Sequence, residues 1–191
     1  MQDLTCRNFP NASTGVTACC LNGDLILVGT SAGVLYAYDL ITQHPYGVHK
    51  EDGKEFVDNP ITSIDVHQRR PNYVVYGHAK GQLVLIDLQK FTKTIKCIKG
   101  HHSKQIVSVK FVDWTAEKPH FMSEEDPNHK CKECADVKKF MFLSVDIEGK
   151  LVQNTVEDFK LYFHANDTVF FDPTKEPCQI WQTLAPRMSS A

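Results

Sequence analysis

Apolar and polar positions in this chain alternate with the two-residue period of β-strands, and the alternation restarts at Val16, Ile61 and Ile106. Opening strands are therefore expected over 16–21, 61–67 and 106–113, with starts about 45 residues apart. A denser apolar run follows each, at 25–29, 73–77 and 140–145, as in strands covered on both faces. Gly33, Gly81 and Gly149 then mark tight turns, and third strands are expected over 34–39, 82–87 and 150–156. Residues 94–98 read as a fourth strand of the second unit, whereas 46–57 hold too much glycine and lysine to be read as one.

The pattern is also an echo. Gly29-Thr-Ser-Ala-Gly33 leads through Tyr38-Asp39-Leu40, and Gly77-His-Ala-Lys-Gly81 leads through Ile86-Asp87-Leu88 about 48 residues later, a period in the propeller-blade range. A repeat of this kind is one supersecondary unit that cannot cover its own apolar faces, so neighbours must stack on it. The fold class expected is all-β: a partial WD-repeat-like β-propeller of about three blades and the start of a fourth. Residues 1–14 form an N-terminal segment and 15–191 the partial propeller. Its blades span 15–60, 61–105 and 106–164, with an insertion at 114–138 and a remainder at 165–191, and the apolar pieces Leu161-Tyr162-Phe163 and Val169-Phe170-Phe171 can supply the third blade's outer strand and begin a fourth. Closed propellers have roughly 4 to 8 blades, so the ring is not expected to close, and the chain reads as a fragment of a longer protein.

Tyr38-Asp39 and Ile86-Asp87 occupy the place of the Trp-Asp dipeptide of a WD repeat, and Asn154-Thr155 replace it in the third unit. Gly100-His101 falls where such a repeat carries its Gly-His. A full repeat joins His, Ser or Thr, Asp and Trp in a side-chain network. Here Ala32 and Lys80 stand before the turn glycine, and only Glu148 offers a carboxylate there, so the network is expected to be largely absent.

Composition excludes several classes of function. A formal net charge of −2 with scattered lysines and arginines leaves no electrostatic footprint for nucleic acid. No apolar run approaches the roughly 20 residues of a membrane span, and the start of the chain is too polar for a secretory signal, so a cytoplasmic location is expected. Seven cysteines, an odd number, with Cys19 and Cys20 adjacent in a strand, read as reduced thiols.

Candidate chemistry is sparse. Cys131-Lys-Glu-Cys134, with His129 and His120 upstream, supplies half of a zinc knuckle, but the second ligand pair is missing, so the segment reads as a solvated loop. His101 and His102 read as caps of a blade, and Cys19, Cys20 and Cys97 as small core residues. No nucleophile motif and no phosphate loop is present, so the chain reads as no enzyme. No catalytic, cofactor-binding or metal residue is assigned, and no cofactor is expected. Surface loops at 46–60 and 114–138 are the regions expected to carry partner contacts.

The second unit carries a more specific likeness. Ile61-Thr-Ser-Ile-Asp65, Tyr76-Gly-His-Ala-Lys-Gly-Gln-Leu-Val84, Asp87-Leu88, Thr94-Ile95 and Ile106-Val-Ser-Val-Lys-Phe111 together resemble the propeller of the vacuolar protein sorting-associated protein 8 family. The first unit's Val28-Gly-Thr-Ser-Ala-Gly-Val-Leu35 is similar to the preceding blade of that family, while the insertion at 114–138 departs from its pattern. The resemblance implies a non-catalytic docking propeller in a CORVET-like tether acting in endosome-to-vacuole or lysosome transport. Its implied partners are other tethering-complex subunits and an endosomal Rab-family GTPase, with peripheral membrane association on the cytosolic face of endosomes through those partners. A generic WD-repeat scaffold or adaptor, for example in a ubiquitin ligase, is the alternative the repeats alone leave open.

Overall fold

In a computed structural model, the chain is described over residues 15–91, 93–112, 139–158 and 163–175. Among these described residues twelve strands form three antiparallel sheets of four, each built from consecutive strands. The first holds β1 (Val16–Asn22), β2 (Leu25–Thr30), β3 (Val34–Asp39) and β4 (Pro45–Lys50) in that order. The second holds β5 (Ile61–Val66), β6 (Tyr73–His78), β7 (Leu83–Asp87) and β8 (Thr94–Ile98). The third holds β9 (Ile106–Phe111), β10 (Lys139–Asp146), β11 (Leu151–Asp158) and β12 (Phe163–Phe171). These are the three stacked blades of a partial β-propeller.

Alternation along each strand decides which neighbour a side chain meets. Val74, Tyr76, Val84 and Ile86 turn toward the first sheet and pack with Leu27, Leu35 and Ala37. Val75, Leu83 and Leu85 turn the other way, onto Phe140, Phe142 and Val156 of the third sheet. The second sheet is therefore covered on both faces, which is why its two middle strands contain almost no polar residue.

Both junctions between sheets close by the same contacts. A β-bulge falls at the second residue of each inner strand, displacing Thr17 and Thr62 from the ladder. Their hydroxyls donate to the carbonyl of the first residue of the next inner strand, Thr17 to Ile61 at 2.6 Å and Thr62 to Ile106 at 2.5 Å. Beside each threonine, a glycine of the second strand lets that isoleucine in: a Cβ on Gly29 would lie 2.6 Å from Ile61 Cγ2, and one on Gly77 2.5 Å from Ile106 Cγ2. Turn glycines complete the seam. Gly33 and Gly81, at φ +73 and +85, lie under the backbone carbonyls of Asn59 and His102.

Two boundaries differ from the sequence reading. Residues 45–50 do form a strand, because Gly47 is required for the close approach of the Phe91 ring and His49 points into the seam; the glycine marks a packing site instead of a break. The third sheet continues past 164 to Phe171, since β12 pairs with β11 along its length, from Asp158↔Phe163 to Leu151↔Phe171. The apolar pieces at 161–163 and 169–171, read as able to supply the third blade's outer strand and to begin a fourth, belong to a segment that supplies the outer strand over Phe163–Phe171; residues 176–191 lie outside the described part, as do the insertion at 114–138 and segment 1–14.

Candidate interaction surface

The strongest side-chain constellation lies between the second and third sheets. Asp146, at the end of β10, carries an oxygen 2.9 Å from His102 Nδ1, and His102 Nε2 lies 2.8 Å from Ser144 Oγ. Asn154 on β11 donates from Nδ2 to the same Ser144 Oγ at 2.8 Å. All four residues are buried, and burial holds the His102 pKa below its ordinary value against the pull of Asp146, so the ring is neutral. Proton positions follow: the Nδ1–H donates to Asp146, and Nε2 accepts from the serine hydroxyl.

This has the make-up of the His–Ser–Asp network of a WD repeat, with asparagine in the tryptophan place, and it corrects, for the third unit, the expectation that the network is largely absent. The carboxylate comes from Asp146 and not from Glu148, which pairs with Lys104 at the surface. The histidine is His102; its neighbour His101 pairs instead with Asp167 of β12. The second sheet has a different hub in the corresponding place. Asn59 donates to Glu55 O and Gln82 Oε1, accepts from the Lys80 amide, and its carbonyl accepts from His78 Nδ1.

A second buried cluster joins the first two sheets. His49 of β4 lies 2.8 Å from the Tyr76 hydroxyl and 3.2 Å from Thr94 Oγ1, and Thr94 in turn donates to Glu51. Burial pushes the His49 pKa down to about 4, with His78 adding to the shift, and holds the Tyr76 phenol protonated. A histidine whose folded pKa lies below its unfolded one contributes stability that is complete above pH 6.5 and lost as pH falls from there toward 4. The displacement corresponds to about 3 kcal/mol for His49, and His78 and His102 shift in the same direction. Urea unfolding across pH 7 to 4 is expected to show this loss, and His49→Gln is expected to flatten it.

Among the described residues no group of three His, Cys, Asp or Glu is placed to hold a metal ion. Burial raises the pKa of Cys20 and pushes that of Cys97 to about 11, so both remain thiols. Cys19 is exposed. Cys131, Cys134, His129 and His120 lie outside the described residues.

Exposed apolar side chains occur at Leu21, Ile147 and Phe170, and they gather most closely on the rim of the first sheet. Loop 46–60 divides into a structural and an exposed part: Phe56, Asn59 and His49 are buried, while Tyr46, Val48 and Val57 are 53%, 48% and 57% exposed. Next to Tyr46 in the chain, the β3–β4 turn exposes Leu40 and Ile41, the latter by 73%. Asp39 fixes that turn by accepting from the amides of Ile41 and Thr42. The rim of the first sheet thus holds apolar side chains in a fixed geometry, an arrangement suited to a partner surface.

The Vps8 β-propeller family profile matches residues 6–134. The chain belongs to the Vps8 β-propeller family. The match spans both complete first sheets and the inner strand of the third, which β10–β12 complete in the same four-stranded order. No curated protein sequence matches the chain. Among solved structures, the β-propeller domain of Myceliophteria thermophila Cps50 (Swd1) is similar, with a TM-score of 0.52 at 15% identity over 81% of this chain. The chain spans 41% of that propeller, and at such identity the likeness speaks for the fold alone.

Proposed function

We propose that the chain is a non-catalytic docking module of an endosomal vesicle-tethering complex of the CORVET type. Its partners are other tether subunits and an endosomal Rab-family GTPase, and it associates with the cytosolic face of endosomes through them. The observation that carries this reading is membership of the Vps8 propeller family, supported by a rim that offers exposed apolar side chains held on a fixed turn. In this role the stacked sheets are a scaffold: they hold Leu40, Ile41 and Tyr46 at fixed spacing, so ordering them costs little on binding.

Capture of purified tether subunits and of endosomal Rab proteins, loaded with GTP analogue or GDP, tests the reading. Nucleotide-dependent retention is expected, and an Ile41→Asp, Tyr46→Ala variant is expected to lose about tenfold or more in affinity, the ordinary cost of removing an aromatic anchor. Retention of no tether subunit and no Rab in either nucleotide state contradicts it.

A further inference from the structure

The third sheet keeps one element of the seam and changes the other two. Val107 follows Ile106 where Thr17 follows Val16 and Thr62 follows Ile61, at the same bulge. Val145 stands opposite Ser108 where Gly29 faces Ala18 and Gly77 faces Ser63. Gly149 is retained, at φ +86, but among the described residues no atom lies within 4 Å of its Cβ position, whereas Gly33 and Gly81 each have a carbonyl there.

The face in question turns away from the second sheet. Phe140, Phe142 and Ser144 point inward, so alternation sends Met141, Leu143 and Val145 outward, with Leu151 paired to Val145 on the same side. Leu143, Val145 and Leu151 hold the places that Val75, Gly77 and Leu83 hold on the covered face of the second sheet. All three are half-buried.

We infer that this outward face is a docking face for a further four-stranded antiparallel sheet whose innermost strand opens on glycine, where both internal junctions have isoleucine. The face continues a radial series of two formed junctions, and its side chains fix what the next member presents. A Cβ at Gly77 would lie 2.7 Å from Ile106 Cβ, and one at Gly29 2.8 Å from Ile61 Cβ. Val145 supplies that Cβ, so even alanine at the opposing position is too close, and glycine fits. The two methyl groups of Val145 then fill the volume that the isoleucine side chain takes at the other seams, a reciprocal exchange that conserves packing. With Val107 in the threonine place, the opening carbonyl of the incoming strand receives no hydroxyl from this sheet. The incoming lead-in segment brings its own carbonyl over Gly149. A second copy of this chain opens on Val16 and is rejected.

The inference rests on the fold and not on the tethering role, so its test is blind to Rab capture. The full chain is extended at Ala191 by a second copy of residues 51–98, with its opening Ile61 either kept or changed by Ile61→Gly, each on a Val145 or a Val145→Gly background. On Val145, the glycine version is expected to slow unfolding of the third sheet by about tenfold and shield Met141 from oxidative footprinting, while the isoleucine version leaves both as in the unextended chain. On Val145→Gly the order is expected to reverse, an arm that keeps the test decisive if Ile61→Gly weakens the added sheet. Equal docking of both versions on Val145, or docking of neither on either background, overturns the inference.

Discussion

Replacing Asp146 by alanine is expected to destabilise the protein by roughly 4 kcal/mol, a large share of the 5–15 kcal/mol that holds a typical domain together. Its carboxylate accepts from His102 Nδ1 on one oxygen and from the amides of Glu148 and Lys150 on the other, at 3.1 and 3.0 Å. Alanine leaves a buried ring N–H and the turn amides without these partners at once. The loss reaches the serine and asparagine through His102, so Asp146→Ala and Ser144→Ala are expected to be non-additive in denaturant unfolding. Glu148→Ala provides the contrast. That side chain is 45% exposed and paired with the exposed Lys104 at 3.2 Å, and its removal is expected to cost no more than about 0.5 kcal/mol. If Glu148 proved the costlier of the two, the network as assigned would be wrong.

The second large effect is expected at Gly77. A valine there places Cβ 2.5 Å from Ile106 Cγ2, and Ile106 is fully buried between two sheets with nowhere to move. Overpacking of this kind is expected to cost about 3 kcal/mol or more. Gly15→Ala, whose added Cβ meets nothing within 4 Å, is expected to leave stability within about 0.5 kcal/mol. Pairing Gly77→Val with Ile106→Gly is expected to recover part of the loss, because the valine methyls then occupy the vacated space. A Gly77→Val protein as stable as its parent would show that the second and third sheets do not meet at this residue.

The repeat period, the turn glycines and ten of the strands are legible in the sequence, because each rests on local chemistry: alternation, apolar density, or a left-handed φ that only glycine adopts comfortably. The side-chain network is less visible. A family pattern points to the carboxylate beside the turn glycine, but the turn aims Glu148 at solvent, while Asp146, two residues after Ser144, shares that serine's inward face. The available signal is the pair itself: two polar residues at a two-residue interval on the buried face of an apolar strand have to be bonded to something. β4 is obscured because its glycine is explained by Phe91, a residue far along the chain; β12 shows as two apolar pieces fit for an outer strand, and only its bounds are hidden, because Asn166-Asp167 interrupts them. Seam glycines read as ordinary turn or strand residues until the next sheet is in place, since their need arises from a contact about 30 residues away.

The account depends on consecutive sheets meeting through one recurring seam, a second-strand glycine against the first residue of the next inner strand. Nuclear Overhauser measurements on methyl-labelled protein observe that contact without any substitution. Strong cross-peaks are expected from the Gly29 α-protons to the Ile61 methyls and from the Gly77 α-protons to the Ile106 methyls. Their absence at both pairs, in a protein whose strands are otherwise formed, would contradict the stacking of these sheets as propeller blades.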